Sequence, residues 1–124
     1  MNLLLVGLGG ALGAIARYLI SGYVFHHYSD WKFPLPTFLV NVIGCLVAGI
    51  LAGFVVKQDW FTAQHRLFLF TGILGGFTTF SAFGIETVHL LRDGHIGIAA
   101  LYVGLSVVVG IGALWLAMLI AGRL

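Results

Sequence analysis

An all-α membrane protein of four transmembrane helices is the fold class that this sequence predicts, and three observations predict it. Of the 124 residues, 60% are hydrophobic and only 8% are charged, with a mean hydropathy of +1.09. A soluble domain of this size needs far more polar surface. The 18 glycines and the 14% of aromatic residues agree with this, since glycine is commoner in membrane helices than in soluble ones. Charged and turn-forming clusters also cut the chain into apolar runs, each near or above the ~20 residues that a helix needs to cross a bilayer core.

The first run covers residues 3 to about 25 and is interrupted only by Arg17. Residues 26–36 are polar, carrying Asp30, Lys32 and two prolines. The second run covers 37–56. A loop with Lys57, Gln58, Asp59 and Gln64 to Arg66 follows. The third run covers 67–91, the short loop Arg92-Asp93-Gly94-His95 comes next, and the fourth run covers 96–121. The opening MNLLLVGLGG lacks the positive segment of a signal peptide, so the first run is expected to remain as a span. Nothing divides the chain, and residues 1–124 are expected to form a single transmembrane domain. Tyr28, Trp31, Trp60 and Phe61 fall in or beside the loops, where interfacial aromatic belts form.

The formal charge of +2 is too small and scattered for nucleic-acid binding. The single Cys45 cannot form an intrachain disulfide and reads as a small packing residue. Four spans place both termini on one side with Lys57, Arg66 and Arg123, against Lys32 and Arg92 opposite. Loop Lys and Arg counts set orientation, so a chain this balanced can insert both ways. Two oppositely inserted copies can pair about a two-fold axis in the membrane plane. A four-helix monomer has little interior for a polar path, so an oligomer is expected.

Polar residues at membrane depth need partners and are functional candidates by default. Arg17 either snorkels to the interface or attracts anions. The preceding GLGGALG superficially matches a dinucleotide fingerprint, but that motif needs a preceding strand. Gly9 and Gly13, at i and i+4, read instead as a packing face of small residues. Thr37 and Asn41 also stand at i and i+4, and Gly44, Cys45 and Ala48 continue that face. Asn41 is either glue between helices or a donor to a permeating anion.

The third run carries Gly72-Ile-Leu-Gly75-Gly76-Phe77-Thr78-Thr79-Phe80-Ser81-Ala82-Phe83. Adjacent glycines followed by threonines make a poor helix interior, so a break near Gly75–Thr79 is expected. Carbonyls freed there can coordinate a cation. Phe77, Phe80 and Phe83 recur at i and i+3. Alone they would be a hydrophobic stripe, but Thr79, Ser81 and Glu86 surround them, and the edge of a phenyl ring carries partial positive charge. Glu86 is the only acid within a run, and its reading stays open between a proton or cation site and a partly solvated interfacial residue. His89 lies in the same part of the run. Tyr102 and Ser106, at i and i+4, can line a track of hydroxyls, with Gly110 next on that face.

Together GGALGAIARY, PTFLVNVIGC, GGFTTFSAFGIE and the Tyr102–Ser106 pair resemble the Fluc/CrcB fluoride channel family over the whole chain. The resemblance implies an antiparallel dual-topology homodimer with two fluoride pores in a bacterial inner membrane. It implies that Phe80 and Phe83 face fluoride, that Asn41 is the pore asparagine, and that Arg17 matches the first-helix arginine. It also implies a structural Na+ at the dimer centre, held by backbone carbonyls at Gly75 and Thr78 and shared with the second subunit. One departure is Gly110, where some relatives carry a second serine, which leaves the length of the hydroxyl track open.

The mechanism expected is passive conduction. Asn41 and the hydroxyls of Thr79, Ser81, Tyr102 and Ser106 replace water around a strongly hydrated ion, at several weak sites that let it leave as well as enter. The sequence carries neither an ATPase motif nor a nucleophile with a base, so no enzyme is expected. A small dual-topology multidrug-type exporter shares the size and the balanced charge, but such proteins carry a membrane-embedded glutamate in the first helix, where this chain has Arg17. A non-transporting packing subunit would leave the phenylalanines and the TTFS segment unexplained.

Overall fold

The structure, a computed structural model, describes residues 1–123 and is all-helical. Its first helix, α1 (Asn2–Tyr28), runs through Arg17 and past the expected end near residue 25. No proline intervenes until Pro34, and the polar residues at its end retain helical propensity. The second helix, α2 (Leu35–Phe54), starts after Pro34 with Pro36 in its first turn, where a missing N–H costs nothing. A 3₁₀ turn, Val55–Lys57, ends it.

The third span is two helices. α3 covers 63–77 and opens with a capping box, in which Thr62 accepts from the His65 N–H and the His65 ring accepts from the Thr62 N–H. Its middle, Leu67–Leu74, is wound as a π-helix. α4 is Phe80–Arg92. Gly94, at φ +83°, closes the short loop in a conformation that L side chains resist, and α5 (Ile96–Ala121) follows.

The helices associate in two pairs, α1 along α3 and α2 along α5. Glycine makes both contacts close. A Cβ on Gly9 would lie 2.7 Å from the Phe68 carbonyl oxygen and 2.9 Å from the Gly72 Cα. One on Gly13 would collide with the Ile73 carbonyl, and one on Gly49 with that of Leu114. Without water to drive association, such backbone approach supplies the packing. Lys57 Nζ donates to the Gly122 carbonyl at 2.7 Å, a cation at the negative end of α5.

Between the pairs α2 and α3 scarcely touch, and a cleft runs along them. Leu3 is 89% exposed and Val108 70% exposed. With backbone bonds closed within helices, this outward apolar surface suits lipid. Four helical spans of this length and hydropathy make the chain a multi-pass membrane protein.

Candidate functional site

The centre of the third span is the least regular part of the molecule. Thr78 (φ −83°, ψ 155°) and Thr79 (φ −146°, ψ 115°) are extended between two helices. The break lies inside the expected Gly75–Thr79 segment, but the threonines make it. Gly75 and Gly76 stay helical, and a Cβ on Gly76 would strike the Gly10 carbonyl. So Gly76 packs α3 on α1, and the threonines, whose hydroxyls compete for local backbone bonds, open the chain. Thr78 Oγ1 donates back to the Leu74 carbonyl at 2.9 Å. Thr79 Oγ1 caps α4 by accepting the Ala82 N–H at 3.2 Å.

Other helices satisfy what the break exposes. Thr79 N–H, which an unbroken helix would bond to the Gly75 carbonyl, donates to Asn41 Oδ1 at 2.9 Å. Asn41 Nδ2 donates to the Thr79 carbonyl at 3.1 Å. Arg17 Nε donates to the Gly76 carbonyl at 3.1 Å. Arg17 is therefore fixed at the carbonyl end of α3, where a cation is favoured. Neither snorkelling nor a free anion lure describes it fully.

Phe80 opens α4 with 84% of its surface exposed, 5.7 Å from the Phe83 ring. Phe83 in turn packs on Tyr102 at 5.0 Å. Phe77, third member of the sequence stripe, is buried on the other side of the break and lies apart from the pair. Asn41, Cys45, Thr78, Thr79 and Phe80 line a recess of about 240 Å³ at this point. Thr79 Oγ1 and Ser81 Oγ stand 3.4 Å apart. At Phe80 and Ser81 the first N–H groups of α4 point from a positive helix end.

A second cluster was only half visible in the sequence. Glu86 accepts from Thr37 Oγ1 at 2.6 Å and from Tyr102 OH at 2.8 Å, joining α2, α4 and α5. Thr37 stood out by its spacing from Asn41, but its partner lies 49 residues away and no local pattern announces that. Arg17, Ser21, Thr37 and Glu86 face one cleft of about 590 Å³ on the α1 side. Tyr102 is wholly buried and spends its hydroxyl on Glu86. Ser106 Oγ is buried without a partner among the described residues. Gly110 faces Cys45, whose sulfur would lie 3.4 Å from an added Cβ. His89 enters neither cluster.

The sequence model of the CrcB-like protein family, Camphor Resistance (CrcB), matches residues 4–118. A protein of Methylobacillus flagellatus named fluoride-specific ion channel FluC is 56% identical over 115 residues, covering 93% of this chain and 90% of the relative. One from Flavobacterium psychrophilum with the same name is 43% identical over 119 residues, covering 96% and 95%. Another so named, from Hyphomonas neptunium, is 44% identical over 122 residues, covering 98% and 95%. The match runs through every span, including the broken one, and the chain belongs to the CrcB-like protein family.

Proposed function

We propose that this protein is a fluoride-selective passive channel of a bacterial inner membrane, which lets fluoride leave the cytoplasm and so lowers its toxicity. The observation that carries the reading is the broken third span, which sets the positive start of α4, the exposed Phe80 ring and the Asn41 carboxamide around one recess. The names of relatives that align across the whole chain support it.

Fluoride keeps its water tightly, so a path must offer replacements. Donors come from Asn41 and from the hydroxyls of Thr79, Ser81 and Ser106, and the edges of Phe80 and Phe83 add weak positive potential. Arg17 raises the local potential for anions from its place on the Gly76 carbonyl. No single site is a full unpaired cation at contact, and that lets the ion leave. The proposed working unit is two antiparallel copies, each completing the half-open cleft between α2 and α3 of the other, surrounded by lipid.

A structural Na+ fits the donor set here. Diversion of the Thr79 N–H to Asn41 leaves the Gly75 carbonyl without its helical partner, and a Cβ at Gly75 would meet only the Phe70 carbonyl, at 3.6 Å. Gly75 and Thr78 share a recess of about 300 Å³. Their carbonyl oxygens would hold the ion as hard ligands, shared with those of the second copy. When bound, it supplies positive charge at the carbonyl ends of both α3 helices and ties the copies together.

The test is fluoride efflux from liposomes containing the purified protein, with chloride and a cationic drug as controls. Fluoride flux without drug exchange is expected. Proton-coupled drug exchange without fluoride flux would establish the exporter, which the Arg17 position disfavours.

A further inference from the structure

We infer that the backbone of Thr79 orients Asn41, so that the carboxamide holds a fixed hydrogen-bond donor at the recess beside Phe80. Thr79 is then a positioning residue that fixes the sign of the ion this part of the path accepts. The inference rests on the reading of the protein as an anion channel and deepens it.

An isolated asparagine can flip, exchanging its oxygen and nitrogen. This one cannot. The Thr79 N–H only donates, and it meets Oδ1 at 2.9 Å. The Thr79 carbonyl only accepts, and it meets Nδ2 at 3.1 Å. A flipped carboxamide would set N–H against N–H and oxygen against oxygen.

The two bonds also need the break. In an extended residue, such as Thr79 at φ −146° and ψ 115°, the N–H and C=O point to the same side and one carboxamide spans both. In a helix they point opposite ways along the axis. So the clamp exists only where the chain is broken, and the break leaves an N–H that only such an acceptor satisfies.

The carboxamide has two N–H groups. One goes to Thr79, and the other has no protein partner among the described residues. It belongs to the side chain that lines the recess with Cys45, Thr78 and Phe80. A small hard anion entering there meets a fixed donor. The Thr79 N–H takes one of the two lone pairs of Oδ1, so the clamp fixes which end of the carboxamide is nitrogen, and an anion is met by a donor with no formal charge at the contact.

The experiment replaces the residue-79 peptide N–H with an ester oxygen, by incorporating the α-hydroxy acid analogue of threonine, and leaves both side chains intact. Fluoride conductance and the fluoride-over-sodium permeability ratio are read from the reconstituted channel, alongside Asn41→Ala and the double change. The ester is expected to lower fluoride conductance at least tenfold and to lower the permeability ratio. The double change should be no worse than Asn41→Ala alone, since the two alter one interaction.

Unchanged conductance in the ester protein, multiplying losses in the double change, or lost conductance at an unchanged ratio would each overturn the inference. Should the ester protein not assemble, solid-state NMR of the unmodified channel decides. Fluoride, and not chloride, should shift the Asn41 Nδ2 resonance while a Thr79 ¹⁵N to Asn41 ¹³Cγ coupling persists, and loss of either sign overturns the inference. Absence of any fluoride flux in the unmodified channel would instead defeat the parent reading.

Discussion

Phe83 shows how much one side chain carries in this protein. Its ring touches both Phe80 and Tyr102, so packing and the proposed ion recognition would make different demands on it. Phe83→Ile keeps apolar bulk, and near-volume-conserving swaps usually cost less than ~1.5 kcal/mol. It removes the positive ring edge. The dimer should still purify while fluoride flux falls by orders of magnitude, and near-normal flux in a well-folded variant would remove the phenyl-edge mechanism at this position. Tyr102 behaves differently. Tyr102→Phe takes one of the two hydroxyls that the half-buried Glu86 accepts from, and leaving a desolvated acceptor under-satisfied costs up to about 1–3 kcal/mol. A lower thermal midpoint in detergent is expected, and an unchanged midpoint would show that water replaces the hydroxyl. Asn41 and Tyr102 could be picked from the sequence by their polar groups at membrane depth and their i, i+4 spacing from Thr37 and Ser106, and Phe80 by the threonine and serine beside it. Their partners could not, because the Asn41 clamp and the Glu86 cluster join helices 16 to 49 residues apart.

At the scale of elements, glycines that seat helices within one chain differ from those with room for a side chain, and Gly13 and Gly75 stand for the two kinds. Gly13 admits no Cβ against the Ile73 carbonyl, and that contact is backbone and cannot yield by rotation. Gly13→Val should therefore prevent α1 from seating on α3, and the protein should be lost at expression or extraction. Gly75 has room for a Cβ inside its own chain. Gly75→Val should leave the chain folded yet shift the dimer toward monomer and weaken Na+ binding, whereas Thr78→Ser, which keeps the backbone, should be tolerated better. Size-exclusion profiles at graded Na+ concentrations separate the cases, and equal dimer loss for Gly75→Val and Thr78→Ser would argue against carbonyl ligation. The third span also shows which part of an element a sequence reveals. Gly-Gly-Phe-Thr-Thr announces a break, because each residue is a poor helix interior. It does not say which residues yield. The close approach of Gly10 leaves no room for a side chain at Gly76, which stays helical, and the chain opens at Thr78 and Thr79, where Asn41 and Arg17 supply the missing partners.

At the scale of the whole molecule, the near balance of loop cations matters because the α2–α3 cleft is open in a single chain. Oriented insertion follows the excess of Lys and Arg on the cytoplasmic side, and here Lys57, Arg66 and Arg123 stand against Lys32 and Arg92. A difference of one cation is a weak bias, and the proposed antiparallel pair would need both orientations. Cysteines placed singly near the termini, in a Cys45-replaced background, should thus be labelled from both sides of the membrane, and labelling from one side only would refute dual insertion. The stronger prediction couples topology to activity. Adding two or three Lys residues to the 92–95 loop should trap one orientation, and the same addition near residues 57–59 should trap the other. Each trapped form, expressed alone, should reach the membrane and conduct little fluoride, since its α2–α3 cleft lacks an opposed copy. Co-expression of the two forms should restore flux, because the missing half is supplied in the required sense. Full flux from one trapped form alone would mean that parallel copies or monomers conduct, and the antiparallel assembly would then have to be given up even though the chain's own recess, clamp and ring edges stayed as they are.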